Sequence, residues 1–357
     1  MDISDFDFNL PEALIAQEPP AERGGSRLLV LHRSTGLVEH AYFAGLGGYL
    51  RAGDLLVLNN TRVFPARLLG RRDPSGGAVE CLLLRQIPDP QSQIPDPKES
   101  YWEALVHPGQ KLKPGARVLF ERDGAPLCGE ILARHFHGRR TVRLWTEDGT
   151  DAAHAIDRIG HIPLPPYIKR DDRDADRERY QTVYARARGS IAAPTAGLHF
   201  TGPLLARLKA RGITTAEITL HVGYGTFKPV RVTRVEEHEV DPEPFTVSAE
   251  TAAALTEARR DGRRIIAVGT TTVRTLESLT LAGDVVLPGT GDTRLFIHPG
   301  HEFKVVTGMV TNFHLPKSSL LMLVSALGDR EAVLAAYRDA VAQQYRFYSY
   351  GDAMLVI

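Results

Sequence analysis

Cysteine is scarce in this sequence: Cys81 and Cys128 are the only two among 357 residues, and they form no Cys-x-x-Cys motif. This scarcity argues against a disulfide scaffold and against a cysteine zinc site, and it is typical of proteins in a reducing cytosol. We therefore expect a cytoplasmic location.

The sequence also lacks an excess of charge of one sign, because 43 Lys and Arg balance 43 Asp and Glu. A protein that only coats nucleic acid carries a clear basic excess, so any contact with RNA must use a local patch. No run of about 18 uncharged apolar residues occurs, so no membrane span is expected. The first residues are acidic and are interrupted by Pro11, which does not match a signal peptide.

The apolar content, 43% of residues, is ample for a hydrophobic core, and the length favours about two domains. Six β-like runs separated by Gly, Pro and Asp follow one another between residues 63 and 146. This pattern predicts a small six-stranded barrel or sandwich, and we predict a β-barrel domain over residues 63–150. The Pro-rich segment IPDPQSQIPDPKES within it is interpreted as a solvated hairpin loop.

From about residue 150 onward, strand-like and helix-like segments alternate. RIIAVG, FKVVTGMV and AMLVI are predicted strands, and Ser248 is a predicted N-cap of a helix that ends before Gly262. The alternation predicts a layered α/β/α domain with a mostly parallel sheet. The early runs LLVLH and LLVLN are predicted to join this sheet, so the α/β domain comprises residues 1–62 and 151–357 and the barrel is an insertion in it.

Four polar segments follow predicted strands in the second half of the chain: APTAGLHFT, HVGYGTF, VGTTTVRT and TNFHLP. In α/β sheets, ligands bind outside the carboxyl ends of the strands. Each segment alone also has a structural interpretation, such as a Thr-rich N-cap, a histidine that caps the next element, or a Gly-rich turn. Together they favour one site for a nucleoside-like substrate.

The residue types within these segments suit such a site. Gly269 permits a sharp turn before a helix N-terminus rich in threonine, and Arg274 can bind a carboxylate or a phosphate. His199 and His314 can act as acid or base. Glycines of the HVGYGTF segment allow a ligand to approach the backbone, Tyr224 can stack on a base, and Lys228 can bind an anion.

A metal site is the main competing hypothesis, and it would make the protein a metal-dependent hydrolase of a nucleotide-like substrate. His199, His221, His238 and His314 can in principle surround zinc together with a Glu, but no HExxH motif is present. A third hypothesis is a non-catalytic RNA-binding module. Five arginines of the mixed-charge segment after residue 167 can in principle hold RNA phosphates: Arg173, Arg177, Arg179, Arg186 and Arg188.

Over nearly its whole length the chain resembles the S-adenosylmethionine:tRNA ribosyltransferase-isomerases of queuosine biosynthesis. The resemblance starts at DFDFNLPEALIAQ, continues through RAGDLLVLNNTRVFPARL, GHIPLPPYI and the four polar segments, and ends at YRFYSYGDAM. It implies that the ribosyl part of S-adenosylmethionine is transferred to the 7-aminomethyl-7-deazaguanine base of a tRNA anticodon. The expected product is epoxyqueuosine-tRNA, with adenine and methionine released.

The resemblance also implies roles for residues of this chain. S-adenosylmethionine is a consumed substrate, and neither a metal nor another cofactor is expected. The expected catalytic residues are His199, His314 and Glu243. The expected substrate-binding residues are Thr195, Gly197, His221, Gly223, Gly225, Lys228, His238, Thr270, Thr271, Arg274, Asn312 and Lys317. Among these, the threonines and Asn312 suit the ribose and adenine, and Arg274 and Lys317 suit the methionine carboxylate or a tRNA phosphate.

This sequence departs from the family pattern at three positions. Val240 and Asp241 replace the Met and the second His of the family's H-x-M-H-x-E stretch, which here spans His238 to Glu243. Tyr224 replaces a small residue between two glycines. Because Asp241 replaces the second His, we expect no essential role for a second histidine in this stretch, while His238 and Glu243 stay candidates. We expect the Tyr224 replacement to leave the reaction unchanged, and we expect a monomer.

Overall fold

The structure is a computed structural model that describes residues 1–90, 96, 98–122, 124–227 and 230–357. These residues contain nineteen strands: β1 Arg27–Leu31, β2 Val38–Tyr42, β3 Leu55–Asn59, β4 Thr61–Val63, β5 Arg67–Asp73, β6 Ala78–Ile87, β7 Glu99–His107, β8 Arg117–Arg122, β9 Ala125–Arg134, β10 Arg139–Trp145, β11 Ala187–Ser190, β12 Thr214–Leu220, β13 Glu243–Val247, β14 Ile265–Val268, β15 Leu281–Ala282, β16 Val285–Val286, β17 Gly289–Thr293, β18 Gly308–Asn312 and β19 Ala353–Val356.

Seven α-helices accompany the strands in the described part of the chain: α1 Ala152–Ile159, α2 Asp176–Arg179, α3 Gly202–Ala210, α4 Ala249–Arg260, α5 Thr270–Glu277, α6 Ser319–Gly328 and α7 Arg330–Ala342. Short 3₁₀ helices occupy Ile3–Phe6, Glu12–Leu14, Phe43–Gly48, Phe136–Gly138, Thr195–His199, Tyr224–Phe227 and Val235–Glu237. None of the helices in the described residues combines the length and the apolar character needed to cross a bilayer.

Nine strands form one mixed sheet in the order β17-β13-β12-β3-β14-β18-β19-β1-β2. The central strands β12, β3, β14 and β18 run parallel to one another. β19 and β1 are parallel to each other, but β19 is antiparallel to β18. Because the four central strands share one direction, their carboxyl ends meet at one edge of the sheet, where the polar segments follow.

Each face of this sheet is covered by helices. One core packs alternate residues of the central strands, such as Val57 and Ala267, against α4, α5, α6 and α7. A second core packs the intervening residues, such as Leu56 and Ile266, against α3 and the 3₁₀ helix Phe43–Gly48. The predicted α/β/α layers are therefore confirmed, and LLVLH and LLVLN are β1 and β3 of the same sheet.

Helix starts follow the capping signals in the sequence. The Ser248 hydroxyl accepts a hydrogen bond from the Thr251 amide at 3.1 Å, so α4 begins at the predicted N-cap. Ser318 caps α6 in the same way, through the Leu321 amide at 3.2 Å. Such caps satisfy amide groups that the first turn of a helix leaves without a partner.

The second unit is a closed six-stranded barrel in the order β10-β7-β6-β5-β8-β9, as predicted. Its interior is filled by side chains such as Trp102 and Phe120, and α1 adds Ile156 and Ile159 to the same core. Helix α1, which was assigned to the α/β domain, thus packs on the barrel. The domain limits at residues 62 and 150 stay a prediction, and residues 91–95 and 97 of the proposed hairpin loop lie outside the described residues.

One predicted strand is shorter than expected. FKVVTGMV was predicted as a single strand, but β18 begins only at Gly308. The Glu277 carboxylate accepts hydrogen bonds from the amides of Lys304, Val305 and Val306, which are therefore not available to a neighbouring strand.

Candidate active site

A cavity of about 430 Å³ lies at the carboxyl ends of the central strands. All four polar segments contribute to its wall: Ala193, Pro194, Thr195 and Ala196 from the first, Val222 and Thr226 from the second, Gly269, Thr270 and Thr271 from the third, and Thr311, Asn312 and His314 from the fourth. Its volume is within the range of ~300–1,000 Å³ typical of small-molecule sites. We call it the main cavity.

The turn between β14 and α5 forms one side of the main cavity. Gly269 has a φ of 90°, a left-handed conformation that favours glycine, and its amide bonds to the Val310 carbonyl at 2.8 Å. The chain can therefore turn directly from the buried strand into α5. As a result, Thr270 and Thr271, both nearly buried, stand at the helix N-terminus and line the cavity.

Asn312 is held in one orientation at the end of β18. Its Nδ2 donates to the Tyr348 carbonyl at 3.1 Å, and a carbonyl can only accept. The same Nδ2 donates to His199 Nε2 at 3.0 Å. The other atom of the amide, Oδ1, is buried and has no hydrogen-bond partner among the described residues. Asn312 therefore lines the main cavity with a buried acceptor that has no partner among the described residues.

His199 lies behind Asn312, beside a separate cavity of about 20 Å³ that Arg23 and Ser26 also line. Because Nε2 accepts from Asn312, Nδ1 carries the proton and donates to the Ser26 hydroxyl at 2.8 Å. Burial, helped by the charges of Arg346 and Arg23, lowers the pKa of His199 to about 3. The imidazole is thus neutral and orients Asn312, and the structure does not place it in the wall of the main cavity.

His314 is the one histidine among the described residues that line the main cavity. Its Nε2 is 2.9 Å from the Thr311 hydroxyl, and its amide donates to the Tyr337 hydroxyl at 3.2 Å. Burial lowers the pKa of His314 to about 3, so its imidazole is neutral at pH 7. The neutral imidazole can therefore take part in hydrogen bonds inside the cavity.

An aromatic wall of the main cavity is a feature that the sequence analysis missed. The rings of Tyr167 and Tyr348 have centroids 3.8 Å apart, and the Tyr167 hydroxyl is hydrogen-bonded to Ser349. Tyr348 has a φ of 74° and Lys317 a φ of 59°, so two cavity residues adopt a conformation that is rare outside glycine. Such backbone strain is concentrated at functional sites.

A second cavity of about 600 Å³ adjoins the first, and Thr226, Ser319 and Leu320 line both. His238 is half-buried in its wall, with its ring 5.0 Å from that of Phe296, and burial lowers its pKa. Tyr224 and Asp241 also line this second cavity.

Glu243 and Arg274 form a buried ion pair beneath the second cavity. Arg274 Nη1 is 2.6 Å from Glu243 Oε2, and Arg274 Nε donates to the Leu295 carbonyl at 3.0 Å. Glu243 Oε1 accepts from the Gly223 amide and from the Thr226 hydroxyl. Both groups thus have partners within the protein, and both line the second cavity. Their expected roles in catalysis and in anion binding stay predictions.

Other expected site residues also make contacts within the protein. A Cβ on Gly197 would lie 2.2 Å from the Tyr184 hydroxyl, so only glycine permits this contact. A Cβ on Gly225 would lie 2.7 Å from Asp241. His221 Nδ1 is 2.8 Å from the Thr61 hydroxyl, and its burial lowers its pKa. Lys317 lines the main cavity while its Nζ is 2.7 Å from Asp7, and Lys228 lies outside the described residues.

The five arginines considered for RNA binding all have partners within the chain. Arg177 and Arg179 donate to backbone carbonyls, and the other three pair with carboxylates: Arg173 with Glu18, Arg186 with Glu217 and Arg188 with Asp157. Across the described ranges, no three His, Cys, Asp or Glu side chains form a group able to hold a metal ion. The zinc hypothesis thus finds no ligand group in those residues.

Comparison with known proteins agrees with this architecture. The model of the family described as "Queuosine biosynthesis protein" matches residues 3–356. The S-adenosylmethionine:tRNA ribosyltransferase-isomerase of Symbiobacterium thermophilum is 50% identical over 100% of both chains, and the enzyme of the same name from Staphylococcus saprophyticus is 48% identical over 100% of both. The crystal structure of S-adenosylmethionine tRNA ribosyltransferase from Thermotoga maritima is 38% identical, covers 99% of this chain and 100% of that chain, and has a TM-score of 0.55.

The mixed α/β sheet with its inserted barrel places a polar cavity at the strand ends, and the similar proteins show that a chain of this kind is a transferase. The chain belongs to the S-adenosylmethionine:tRNA ribosyltransferase-isomerase family of queuosine biosynthesis. The resemblance seen in the sequence is confirmed.

Proposed function

We propose that this chain transfers the ribosyl part of S-adenosylmethionine to the 7-aminomethyl-7-deazaguanine base of tRNA and isomerises it to give epoxyqueuosine-tRNA. Adenine and methionine are released. The observation that carries the proposal is Asn312 Oδ1, a buried acceptor without a partner in the described structure, in a cavity built from polar strand-end loops. A buried acceptor without a partner costs about 1–3 kcal/mol, which a bound ligand donor would recover.

The main cavity offers matching groups for the nucleoside part of S-adenosylmethionine. Asn312 Oδ1 accepts a hydrogen bond from the adenine amino group or from a ribose hydroxyl. Thr270 and Thr271 supply further hydroxyls, and Tyr167 and Tyr348 supply aromatic faces for the base. For the methionine carboxylate, the candidate positive groups are the N-terminus of α6 and Lys317, whose Nζ is 2.7 Å from the exposed carboxylate of Asp7. Arg274 is instead held in a buried ion pair with Glu243.

The proposed reaction requires proton transfers that the cavity can support. The positive sulfonium acidifies the adjacent C5′ protons of the ribose, so a neutral side chain can remove one. His314 is our candidate for this transfer because it is the cavity-lining histidine of the described residues. We assign His199 a positioning role through Asn312, and Glu243 a positioning role through Gly223 and Thr226.

The nucleobase acceptor is proposed to enter through the second cavity. This cavity adjoins the first at Thr226, Ser319 and Leu320, so a base held there presents its aminomethyl group to the ribose. The Tyr224 ring can stack on the base, and the carboxylate of Asp241 can bind groups that donate hydrogen bonds. The amine must lose its proton before it attacks.

Three further expectations form part of the proposal. S-adenosylmethionine is a consumed substrate, and no metal or other cofactor takes part. The protein acts as a monomer. It acts in the cytoplasm, because its proposed tRNA substrate is located there.

The experiment combines the protein with S-adenosylmethionine and tRNA that carries the aminomethyl base. We expect adenine release and the mass of epoxyqueuosine in the digested tRNA, and neither with tRNA that lacks the aminomethyl group. Asn312→Leu, which removes the free acceptor, is expected to lower kcat/KM for S-adenosylmethionine about 10- to 100-fold.

Asn60→Leu is the matched control, since Asn60 is also buried but bonds to Glu217 and Thr219 and is not part of the cavity wall. Absence of both adenine and a modified nucleoside with the wild-type protein would refute the proposed function.

A further inference from the structure

The turn between barrel strands β9 and β10 carries an aromatic side chain that the fold does not use. Phe136 is 89% exposed, the highest value among the large apolar side chains of the described residues. The other large apolar side chains at the surface are less exposed; Tyr224, for example, is 39% exposed. An aromatic ring held almost fully in water contributes little to the stability of the barrel. A single exposed apolar side chain does not by itself mark a binding site, so its meaning depends on the residues around it.

One exposed cationic side chain lies beside Phe136. Arg134 is exposed at the end of β9, whereas Arg139, which begins β10 on the other side of the turn, is paired with Glu103 at 2.7 Å. His135 is fixed there by a 2.8 Å contact of its Nε2 with the Thr141 hydroxyl. An exposed aromatic ring beside a cationic side chain is an arrangement with which proteins bind unpaired nucleotides, because the ring stacks on a base and the cation meets a phosphate.

The position of this turn in the molecule identifies the partner. Arg139 Nη2 is 3.7 Å from Asp241 Oδ2, and Asp241 lines the second cavity. The turn therefore stands beside the cavity that we propose for the target base.

We propose that the β9–β10 turn, residues 134–139, is a docking surface for tRNA, on which Phe136 stacks against an unpaired base beside the modified nucleotide. Arg134 binds the adjacent phosphate. This inference rests on the proposed function for the identity of the RNA. It explains how a chain without net charge binds a polyanion, since the contact depends on a local aromatic and basic patch.

The test compares Phe136→Ala with Phe136→Trp and with Tyr42→Ala. Tyr42 is the matched control because it is 67% exposed but lies on β2, the edge strand at the far end of the nine-stranded sheet from β13. Stacking on one base supports a change of about 5- to 100-fold on removal of the ring. We expect Phe136→Ala to raise the KM for tRNA by this factor and to leave the KM for S-adenosylmethionine and the kcat at saturating tRNA unchanged.

Phe136→Trp is expected to retain the wild-type KM, and Arg134→Ala is expected to reduce the salt dependence of tRNA binding by about one counterion. A wild-type KM for tRNA in Phe136→Ala, or equal losses in Phe136→Ala and Tyr42→Ala, would overturn the proposal. Binding of a labelled anticodon stem-loop, measured by fluorescence anisotropy, tests the turn without catalysis. If the wild-type protein binds this RNA through Phe136 but releases no adenine, the proposed function fails and the docking surface stands.

Discussion

Replacement of His199 separates a positioning role from direct proton transfer. His199→Ala removes the Nε2 acceptor of Asn312 Nδ2, which is buried and donates across 3.0 Å. An unsatisfied buried donor costs about 1–3 kcal/mol, or a factor of about 5–150. Because Nδ2 keeps the Tyr348 carbonyl at 3.1 Å, we expect the lower part of this range, about 5- to 30-fold in kcat/KM for S-adenosylmethionine.

The glutamine variant makes the prediction decisive. In His199→Gln, the side-chain oxygen can take the place of Nε2 and accept from Asn312, so we expect activity close to wild type and an unchanged shape of the pH–rate profile. A residue that transfers a proton in the reaction contributes about 10²–10⁴-fold, and glutamine cannot replace it. We expect that behaviour for His314→Gln. Steady-state assays of adenine release measure both variants, and a loss of 10²-fold or more in His199→Gln would refute the positioning role.

Two predictions concern stability. The pKa of both His199 and His314 is about 3 in the folded protein, below the unfolded value of about 6.5, so the unfolded chain takes up protons first. Their contribution to the free energy of unfolding is present above pH 6.5 and is lost as the pH falls, by about 2 kcal/mol for each histidine by pH 5. Urea unfolding above pH 6.5 and at pH 5 should show a smaller loss of stability in His314→Gln than in the wild-type protein. Arg274→Met leaves the Glu243 carboxylate buried without its counterion and should lower the stability by about 3–5 kcal/mol. The double variant Glu243→Gln with Arg274→Met should lose less stability than the sum of the two single variants. Additive losses of stability in thermal melts would contradict the ion pair.

The sequence predicted the architecture well because the signals involved are local. The runs LLVLN and RIIAVG are rich in apolar residues, as is typical of strands buried on both faces. Ser248 was predicted as an N-cap, and the structure shows that Ser248 and Ser318 both cap the first amides of a helix. The short β18 was not predictable, because its limit depends on the Glu277 carboxylate, which reaches it from the end of α5.

The site was predicted only in part, because its members come from distant parts of the chain. Strand-end glycines and threonines identified the four loops that line the main cavity. Tyr167 and Tyr348 lie in two of the segments that carry the family resemblance, GHIPLPPYI and YRFYSYGDAM. These segments are far apart in sequence, so the pairing of the two rings follows from the fold alone. Sequence also indicates that Glu243 and Arg274 are polar residues near the site, but not that they bind each other across 31 positions.

The fate of the ribose carbons tests the central claim most directly. S-adenosylmethionine labelled in the ribose and, separately, in the methyl group is incubated with the protein and with tRNA that carries the aminomethyl base. We predict that the ribose label appears in the tRNA nucleoside in an amount equal to the adenine released, while the methyl label leaves in methionine. Methyl label in the tRNA, or adenine release without ribose label in the tRNA, would contradict the account.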